Sequence, residues 1–373
     1  MKKLANGQAI IQAFESWSPK SLAVEGDKIG LQIGTLNKPI KKIMVVLDLL
    51  DTVVDEAIEE AVDLIIAHHP IIFRPLKAIQ TDRPYGKIVE KLIKHDIAVY
   101  AAHTNLDVAK GGVNDLMAQK LGLENVEVLS ATTEIKLKKL VVFVPVEHSD
   151  TVREALASVG AGHIGNYSHC TFNSEGTGTF KPELGADPFI GKTGKLEFIQ
   201  ETKIETIFPA HLQNKVISRL LKAHPYEEVA YDIYSLDNKG EQLGLGRVGV
   251  LKEELTLKEF ALFVKEAFEV EGLRVVGKLE DKVSKVAVLG GDGNKYVSSA
   301  LFKGADVFVT GDVYYHVAHD AMMEGLNLID PGHNVEKIMK EAVKNFLEKF
   351  LIENKYDTKV ISSNLNTDPF TFL

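Results

Sequence analysis

Three apolar runs decide the fold of this chain: KIMVVLD at residues 42–48, DLIIAHH at residues 63–69 and IAVYAAH at residues 97–103. Amphipathic segments separate the runs, and the first of these segments begins at Asp51. Short buried runs that alternate with helical segments predict a β-α-β-α-β order and a parallel sheet. The sequence therefore predicts an α/β fold in which Asp51 caps the first helix.

The last third of the chain repeats this pattern. Its predicted strands are KVAVLGGDG at residues 285–293, ADVFVTGD at 305–312 and LNLIDPGH at 326–333, and a long final helix follows them. The simplest interpretation joins residues 1–129 and 246–373 into one discontinuous α/β domain with a parallel sheet. A tandem pair of small α/β domains is the alternative.

Residues 130–245 follow a different pattern, with Gly- and Pro-rich turns between strands. Five strands are predicted, at KLVVFVP (139–145), HCTFNSEGTGTF (169–180), GKLEFIQ (194–200), KIETIFP (203–209) and EEVAYDIYSL (227–236), with helices after the first and the fourth. Pro145, Val152 and Leu156 recur as Pro209, Val216 and Leu220, at a period of 64 residues. Two β-α-β halves of this kind predict an inserted ferredoxin-like α+β domain of β-α-β-β-α-β order.

The composition argues against several classes of protein. Forty-three basic and 52 acidic side chains give a net charge of −9 without a dense basic run, which disfavours a nucleic-acid binder. The single cysteine, Cys170, excludes a disulfide framework and a four-cysteine zinc site. Neither a membrane span of ~20 apolar residues nor an export signal is evident. The protein is therefore expected to be cytoplasmic, with no membrane partner.

Histidines and carboxylates follow the predicted strands in three groups. They are His68 with His69, His103 with Asp107, and His333 with Glu336. In open parallel sheets, binding sites collect at the carboxyl ends of the strands. Imidazole and carboxylate ligands suit zinc, iron, nickel or manganese better than calcium or magnesium.

The spacing favours two metal ions. Neighbouring side chains at a strand end point to opposite sides, so His68 and His69 are expected to bind one ion each. Asp107 and Glu336 are available as shared carboxylates, and a dinuclear site follows. Taken singly, each group has a structural alternative as a turn, a cap or a helix start. A metal site is favoured because all three groups follow predicted strands of the same kind of α/β sheet.

Other candidate residues have simpler interpretations. Asp48 and Asp312, also at strand ends, are expected to support the ligands through hydrogen bonds. GGDG at residues 290–293 is interpreted as a plain glycine turn, since it lacks the known phosphate-binding patterns. Cys170 is expected to be a buried thiol. His316 and His319 share a helix face but need no function.

Four blocks of the sequence, IIAHHPIIF (65–73), AAHTNLD (101–107), GADVFVTGD (304–312) and LIDPGHNVEK (328–337), together resemble the GTP cyclohydrolase I type 2 homologue family, also described as Nif-three-like dinuclear-metal proteins. One block departs from that family: where it usually has Trp-Asp-Asn-x-Gly-Leu, this chain has GDKIGL at residues 26–31. Asp27 is kept, but the aromatic residue is missing. Any substrate contact assigned to that loop is therefore in doubt.

The resemblance implies a metal-binding α/β domain that holds two divalent ions per chain, with zinc expected first and iron or manganese as alternatives. It implies five metal ligands, His68, His69, Asp107, His333 and Glu336. The segment HPYEEVAYDIYSL (224–236) resembles the inserted domain of the longer bacterial members, which is similar to the PII signalling and copper-tolerance proteins. Such members are toroidal homohexamers, and the resemblance implies the same assembly here.

Two functions remain open on this basis. The first is a metal-dependent hydrolase that acts on a small-molecule substrate, a nucleotide or phosphoester, with GTP implied by the family name. His103, beside Asp107 but not needed as a ligand, is the candidate for a catalytic general acid or for a residue that orients the ligands. The second is a non-catalytic metal-carrying or regulatory protein whose inserted domain senses a ligand.

Overall fold

The structure is a computed structural model that describes residues 3–373. By its internal contacts the chain divides into two units: a first unit, Met1–Thr133 with Leu243–Leu373, and a second unit, Glu134–Gln242. None of the helices in the described residues combines the length and the apolar composition that a membrane span requires.

The N-terminal segment of the first unit contains the predicted β-α-β-α-β order. Its strands are β1 (Ala5–Asn6), β2 (Gly30–Ile33), β3 (Pro39–Ile40), β4 (Lys42–Val46), β5 (Leu64–Ala67), β6 (Ala98–Ala101) and β7 (Glu124–Glu134). Its helices are α1 (Gly7–Trp17), α2 (Asp51–Glu59), α3 (Pro84–Lys94), α4 (Thr104–Val108) and α5 (Val113–Lys120), with a 3₁₀ turn at Lys20–Leu22. Strands β5 and β6 are buried throughout, as central parallel strands are.

The predicted cap of α2 is wrong by one position. The extended backbone of Leu50 makes Leu50 the N-cap, and Asp51 is the first helical residue. The Asp51 carboxylate accepts a hydrogen bond from the Lys91 ammonium group at 2.7 Å instead of capping the helix. It still places negative charge at the helix N-terminus, which is favourable.

The second unit has four strands and two helices. They are β8 (Leu137–Pro145), α6 (Ser149–Ala157), β9 (Thr171–Phe180), β10 (Glu197–Pro209), α7 (Gln213–Ala223) and β11 (Tyr231–Ser235), with 3₁₀ turns at Val146–His148 and Ala210–Leu212. The strand order is β11-β8-β10-β9, and every neighbouring pair is antiparallel. Buried apolar residues of both helices, among them Leu156 and Leu220, pack with Val142 and Ile204 of the sheet.

One expectation for this unit is wrong. The predicted strands at 194–200 and 203–209 are a single strand, β10. Glu201 of this strand pairs with Pro145 on one side and with Gly176 on the other. The ladder therefore continues through the polar residues that interrupt the apolar pattern.

The C-terminal segment completes the first unit. Its elements are β12 (Gln242–Thr256), α8 (Leu257–Ala267), β13 (Arg274–Val276), β14 (Lys282–Asp292), α9 (Val297–Phe302), β15 (Val307–Gly311), α10 (Tyr315–Met323), β16 (Asn327–Asp330), α11 (Met339–Glu353) and β17 (Lys359–Ser362), with 3₁₀ turns at Asn294–Tyr296 and His333–Ile338. Helix α11 buries Met339, Val343, Leu347 and Leu351, which recur every four residues and so form one apolar face.

Two mixed sheets and a two-stranded antiparallel pair, β1 with β3, form the first unit. One has the order β17-β4-β5-β6-β2, in which only β2 is antiparallel to its neighbour. The other has the order β13-β16-β15-β14-β12-β7, with β14, β15 and β16 parallel. The two segments exchange strands: β17 joins the N-terminal sheet, and β7 joins the C-terminal one. The fold is therefore mixed α/β, and neither segment completes its sheet alone.

Candidate metal centre

The carboxyl ends of three parallel strands supply one side of the site. Val46 at the end of β4 is in register with Ala67 of β5, and Ala67 with Ala101 of β6. The side chains that follow these strands therefore leave the sheet at one edge, as the sequence predicted. They are Asp48, His68, His69 and His103.

His68 and His69 have different environments although they are adjacent. His68 is fully buried, and its Nδ1 donates to the Ala102 carbonyl at 2.8 Å. Its Nε2 lies 3.5 Å from Asp107 Oδ1 and 3.7 Å from Glu336 Oε2. His69 donates from Nδ1 to Asp48 at 2.6 Å, and its Nε2 lies 3.0 Å from Glu336 Oε2. Each Nδ1 is used for orientation, so each Nε2 faces the carboxylates.

His333 approaches from the other sheet. It follows β16 after Gly332, which has a φ of 85° and turns the chain. Its Nδ1 donates to Asp312 Oδ2 at 2.7 Å, and its Nε2 lies 3.2 Å from Glu336 Oε2. The predicted support of the histidines by Asp48 and Asp312 is confirmed.

Glu336 is the shared residue of the site, and Asp107 is the second buried carboxylate. Burial alone would raise the pKa of Glu336, but the three surrounding histidines outweigh burial and hold its pKa well below the usual value. Burial raises the pKa of Asp107 to about 6, against the opposing effect of His68.

The structure brings all six predicted residues together. Ligand atoms lie within 4.8 Å of one another in three groups: His68 with Asp107 and Glu336, His69 with His333 and Glu336, and His68 with His69 and His103. The first two groups share Glu336, and each of them contains one of the two adjacent histidines. Each of these two groups therefore combines imidazole nitrogen with the shared Glu336 carboxylate.

Two buried atoms of the site lack hydrogen-bond partners within residues 3–373. They are Nε2 of His68 and Oδ1 of Asp107, which face each other. Buried polar atoms are rarely left unpaired, because desolvation without a new partner costs about 1–3 kcal/mol. A nitrogen and a carboxylate oxygen that converge in this way are donors for a borderline divalent ion. The residues present therefore fit a metal.

Sequence reasoning did not assign a role to Asp27. Its carboxylate accepts from His103 Nδ1 at 2.9 Å, from the Thr104 amide at 3.0 Å and from the Thr104 hydroxyl at 2.5 Å. Burial would raise the pKa of Asp27, but these hydrogen bonds outweigh burial and lower it. The only signal in the sequence was that Asp27 persists in the altered block at residues 26–31.

The glycine turn at residues 290–293 is also part of the site. A Cβ on Gly290 would lie 3.0 Å from Glu336 Oε1, and one on Gly291 would lie 2.8 Å from the same atom. Gly291 also has a φ of 66°, which side chains rarely adopt. Glycine is therefore required because the turn packs directly against Glu336, although the sequence analysis treated it as a plain turn.

A cleft of about 850 Å³ opens onto the ligand groups. Its walls include His69, His103 and His333 of the candidate centre, and side chains that were not among the predicted site residues. These added residues are Phe73, Lys295, Tyr296, Thr367 and Phe370. Thr367 also donates its hydroxyl to Asp48 Oδ2 at 2.5 Å. The cleft thus combines a cation and aromatic faces with the metal-ligand candidates.

Three sequence candidates lie apart from these groups. His316 and His319 pack against the ring of Tyr315 on α10. Cys170, expected to be buried, is only half-buried because it precedes the edge strand β9.

The sequence pattern of the Duf34/NIF3 family (NGG1p interacting factor 3) matches residues 5–369. The chain is similar to proteins described as "GTP cyclohydrolase 1 type 2 homolog": it is 66% identical over 371 residues to that of Halalkalibacterium halodurans and 62% identical over 373 residues to that of Bacillus subtilis, with 100% of each protein covered. The fold is similar to a crystal structure of a Bacillus cereus protein related to NIF3, with a TM-score of 0.94, 63% identity and 100% of both chains covered.

Proposed function

Because this chain belongs to the Duf34/NIF3 family, we propose that it is a metal-dependent hydrolase with a dinuclear centre, which acts on a nucleotide or another phosphoester. The membership bears out the resemblance indicated by four sequence blocks. The observation that carries the proposal is the pair of ligand groups that share Glu336. Two ions held close together are the arrangement of many phosphatases and nucleases.

Five residues are proposed as ligands: His68, His69, Asp107, His333 and Glu336. Zinc is the metal expected first, with iron or manganese as alternatives, because imidazole nitrogen and carboxylate oxygen suit all three. The hydrogen bonds from each Nδ1 to Ala102, Asp48 and Asp312 support this assignment, since they leave Nε2 free to coordinate.

When bound, such a pair of ions lowers the pKa of water and polarises a phosphoryl oxygen. His103 is proposed to hold and transfer the proton that hydrolysis requires. Its Nδ1 donates to Asp27, so Nε2 is the nitrogen that exchanges a proton with substrate in the cleft. Asp27 keeps the His103 ring in this orientation and excludes the other tautomer.

The residues that line the cleft favour a substrate that has both a charged group and a flat ring. Lys295 supplies a cation suited to phosphate, and Phe73, Tyr296 and Phe370 supply aromatic surfaces suited to a base. These are the two recognisable parts of a nucleotide. The description of the relatives as GTP cyclohydrolase 1 type 2 homologs makes GTP the first nucleotide to test.

The test is metal analysis of the purified protein, followed by turnover of phosphoesters, nucleotides and GTP. We expect metal-dependent turnover that His68→Ala and His333→Ala abolish by removing metal. His103→Ala is expected to keep the metal and to lose about 10²–10⁴-fold in kcat. His316→Ala removes an exposed histidine outside the groups and serves as the control.

Two outcomes would contradict the proposal. Stoichiometric metal without turnover of any substrate would favour the non-catalytic carrier or regulatory protein. Failure to bind metal under replete conditions would overturn the ligand assignment as well.

Three further properties are part of the proposal. The strand order β11-β8-β10-β9 supports a ferredoxin-like, PII-like fold for the second unit. The family resemblance supports a homohexamer, which sedimentation analysis will test. A cytoplasmic location is proposed from the single cysteine.

A further inference from the structure

The second unit contains a cavity of about 640 Å³ on the face of its sheet opposite α6 and α7. Side chains alternate along β10, so Ile204 and Phe208 pack in the core under the helices. Glu201 and Lys203 point to the other face and line the cavity. Residues 174–180 and residues within 181–190 and 226–230 contribute further walls.

Glu201 is a buried carboxylate without a cation. The residue is 8% exposed, and its Oε1 accepts a hydrogen bond from the Tyr226 hydroxyl at 3.1 Å. Within residues 3–373 no lysine, arginine or histidine forms an ion pair with it. Lys203, on the same face of the strand, pairs with Glu205 at 3.3 Å. A buried charge is normally paired, so Glu201 has an unmet requirement for a positive partner.

Two glycines of β9 keep the space beside Glu201 free. Gly178 admits no side chain, since its Cβ would lie 2.1 Å from Glu201 Oε2. Gly176 lies directly opposite Glu201 in the ladder, and no described atom lies within 4 Å of where its Cβ would be. Glycine inside a strand weakens the strand and often marks a place where a ligand approaches closely.

Aromatic rings form the walls next to this carboxylate. The ring of Tyr226 lies 5.9 Å from that of Phe180 and 6.4 Å from that of Phe189, measured between centroids. Phe143 also lines the cavity, and the charged lining residues are five glutamates against two lysines. Aromatic faces attract cations, and the attraction increases when water is excluded.

We propose that this cavity binds an organic cation, a small molecule that carries a primary ammonium or guanidinium group on an apolar or aromatic body. The N–H groups donate to Glu201, and the body packs on Phe180 and Tyr226. The volume lies in the range of about 300–1,000 Å³ typical of small-molecule sites. The site belongs to the second unit alone, so it stands independently of the proposed hydrolase.

Isothermal titration of the full-length protein with tryptamine, agmatine and spermidine tests the proposal. We expect at least one of the three to bind with a Kd below about 1 mM. Indole-3-propionate, which has the ring of tryptamine and the opposite charge, is expected not to bind. Failure of all three amines, or equal binding of the anion, would overturn the proposal.

Two variants locate the site. Glu201→Gln keeps the shape and removes the charge, and it should weaken binding by at least about tenfold. Gly176→Leu fills the open space and should abolish binding. The exposed residue Glu154 on α6, outside the cavity lining, provides the control, since Glu154→Gln should change the Kd by less than about twofold.

Thermal melting and sedimentation complete the test. If Glu201→Gln does not fold, binding by Gly176→Leu tests the proposal, because the Cβ that this substitution adds has no described atom within 4 Å. Unchanged binding in the folded variants would overturn the proposal. A change of oligomeric state in Gly176→Leu would also overturn it, since the cavity would then be a contact between copies of the chain.

Discussion

At the scale of the residue, the candidate metal centre is organised around one oxygen atom. His68, His69 and His333 each place Nε2 within 3.0 to 3.7 Å of Glu336 Oε2. Each ring is fixed from behind by a hydrogen bond from Nδ1. Because the rings are held in place before a metal binds, little conformational freedom is lost on binding.

The fixed rings predict proton release on metal binding. Burial lowers the pKa of His69, but Asp48 and Glu336 outweigh burial and raise it to about 10. Glu336 and Asp312 likewise outweigh burial and raise the pKa of His333 to about 9. Both rings are therefore protonated at pH 8 in the metal-free protein, and each must lose its proton to coordinate. Titration calorimetry with zinc at pH 8, in two buffers of different ionisation enthalpy, should show buffer-dependent heats.

Heats of zinc binding that show no contribution from the two histidines would contradict this prediction. Histidines with the ordinary pKa of 6.5 would be almost fully neutral at pH 8, and the two rings would then contribute almost no buffer-dependent heat. The same pKa shifts mean that these contacts stabilise the metal-free fold fully below pH 6.5, and that this stabilisation is lost as the pH rises through about 9 to 10. Urea unfolding of the metal-free protein at pH 6.5 and pH 10 checks this direction.

Gly291 gives a second prediction at this scale. Gly291→Ala places a Cβ 2.8 Å from Glu336 Oε1 at a φ of 66°. We expect a loss of about 1–2 kcal/mol in unfolding free energy from the backbone strain, together with lower metal content because Glu336 is displaced. Gly304→Ala is the matched control, since Gly304 has a φ of 68° and no described atom within 4 Å of its Cβ position. Similar metal loss in both variants would contradict the role of the turn.

The residues predicted to be ligands were recognisable because they follow apolar strands, and strand ends are visible in a sequence. Asp27 and Thr367 were not, since they lie in irregular segments without periodicity and reach His103 and Asp48 only after folding. The structural need for Gly291 could not be seen either, because it depends on a contact with Glu336, which lies 45 positions later.

At the scale of the element, α4 depends on other parts of the chain. A helix of five residues is far below the length that is stable alone. Asp27 accepts a hydrogen bond from Thr104 in the first turn of this helix. Asn105 donates to the carbonyl and the hydroxyl of Ser18. Asn114 donates to the Asp107 carbonyl. This helix carries Asp107, so its anchors also place a ligand candidate.

Asp27→Ala should therefore affect both stability and metal binding. Loss of the charged hydrogen bonds to His103 and Thr104 is expected to lower the unfolding free energy by about 1–3 kcal/mol, and to reduce metal content through Asp107. Denaturant titration and metal analysis measure the two effects. Glu25→Gln, at an exposed position in the same loop, should change neither. A stable Asp27→Ala protein with full metal content would contradict this role.

Most elements could be predicted because their apolar residues recur with the period of a strand or helix. The unity of β10 could not, since Gln200, Glu201 and Thr202 interrupt its apolar pattern. Glu201 is polar because it lines the cavity rather than the core. The predicted break in the strand therefore falls at Glu201, the residue at the candidate site of the second unit.

At the scale of the whole molecule, the first unit closes through the exchange of β7 and β17 between its sheets. Thr132 donates its hydroxyl to the Leu243 carbonyl at 3.4 Å, so the chain leaves and re-enters this unit at neighbouring points. The exchange joins residues far apart in the sequence, and no local pattern could have predicted it.

The adjacency of these points predicts that the second unit can be removed. Replacement of residues 134–242 by an Asn-Gly turn should leave a folded first unit with the same metal content per chain, because a two-residue turn joins adjacent antiparallel strands. Circular dichroism and metal analysis provide the measurement. The same deletion with His69→Ala and His333→Ala gives the metal-depleted reference. A deletion protein without metal would show that the centre requires the second unit.

The exchange of strands also sets the order of events during synthesis. His69 leaves the ribosome 264 residues before His333, which is roughly 13–53 s at about 5–20 residues per second. For most of that interval His68, His69 and Asp107 are present without Glu336, and the N-terminal sheet lacks its edge strand β17. The candidate ligand set is therefore complete only after nearly the whole chain has been translated, and a nascent chain stalled before Glu336 cannot carry it.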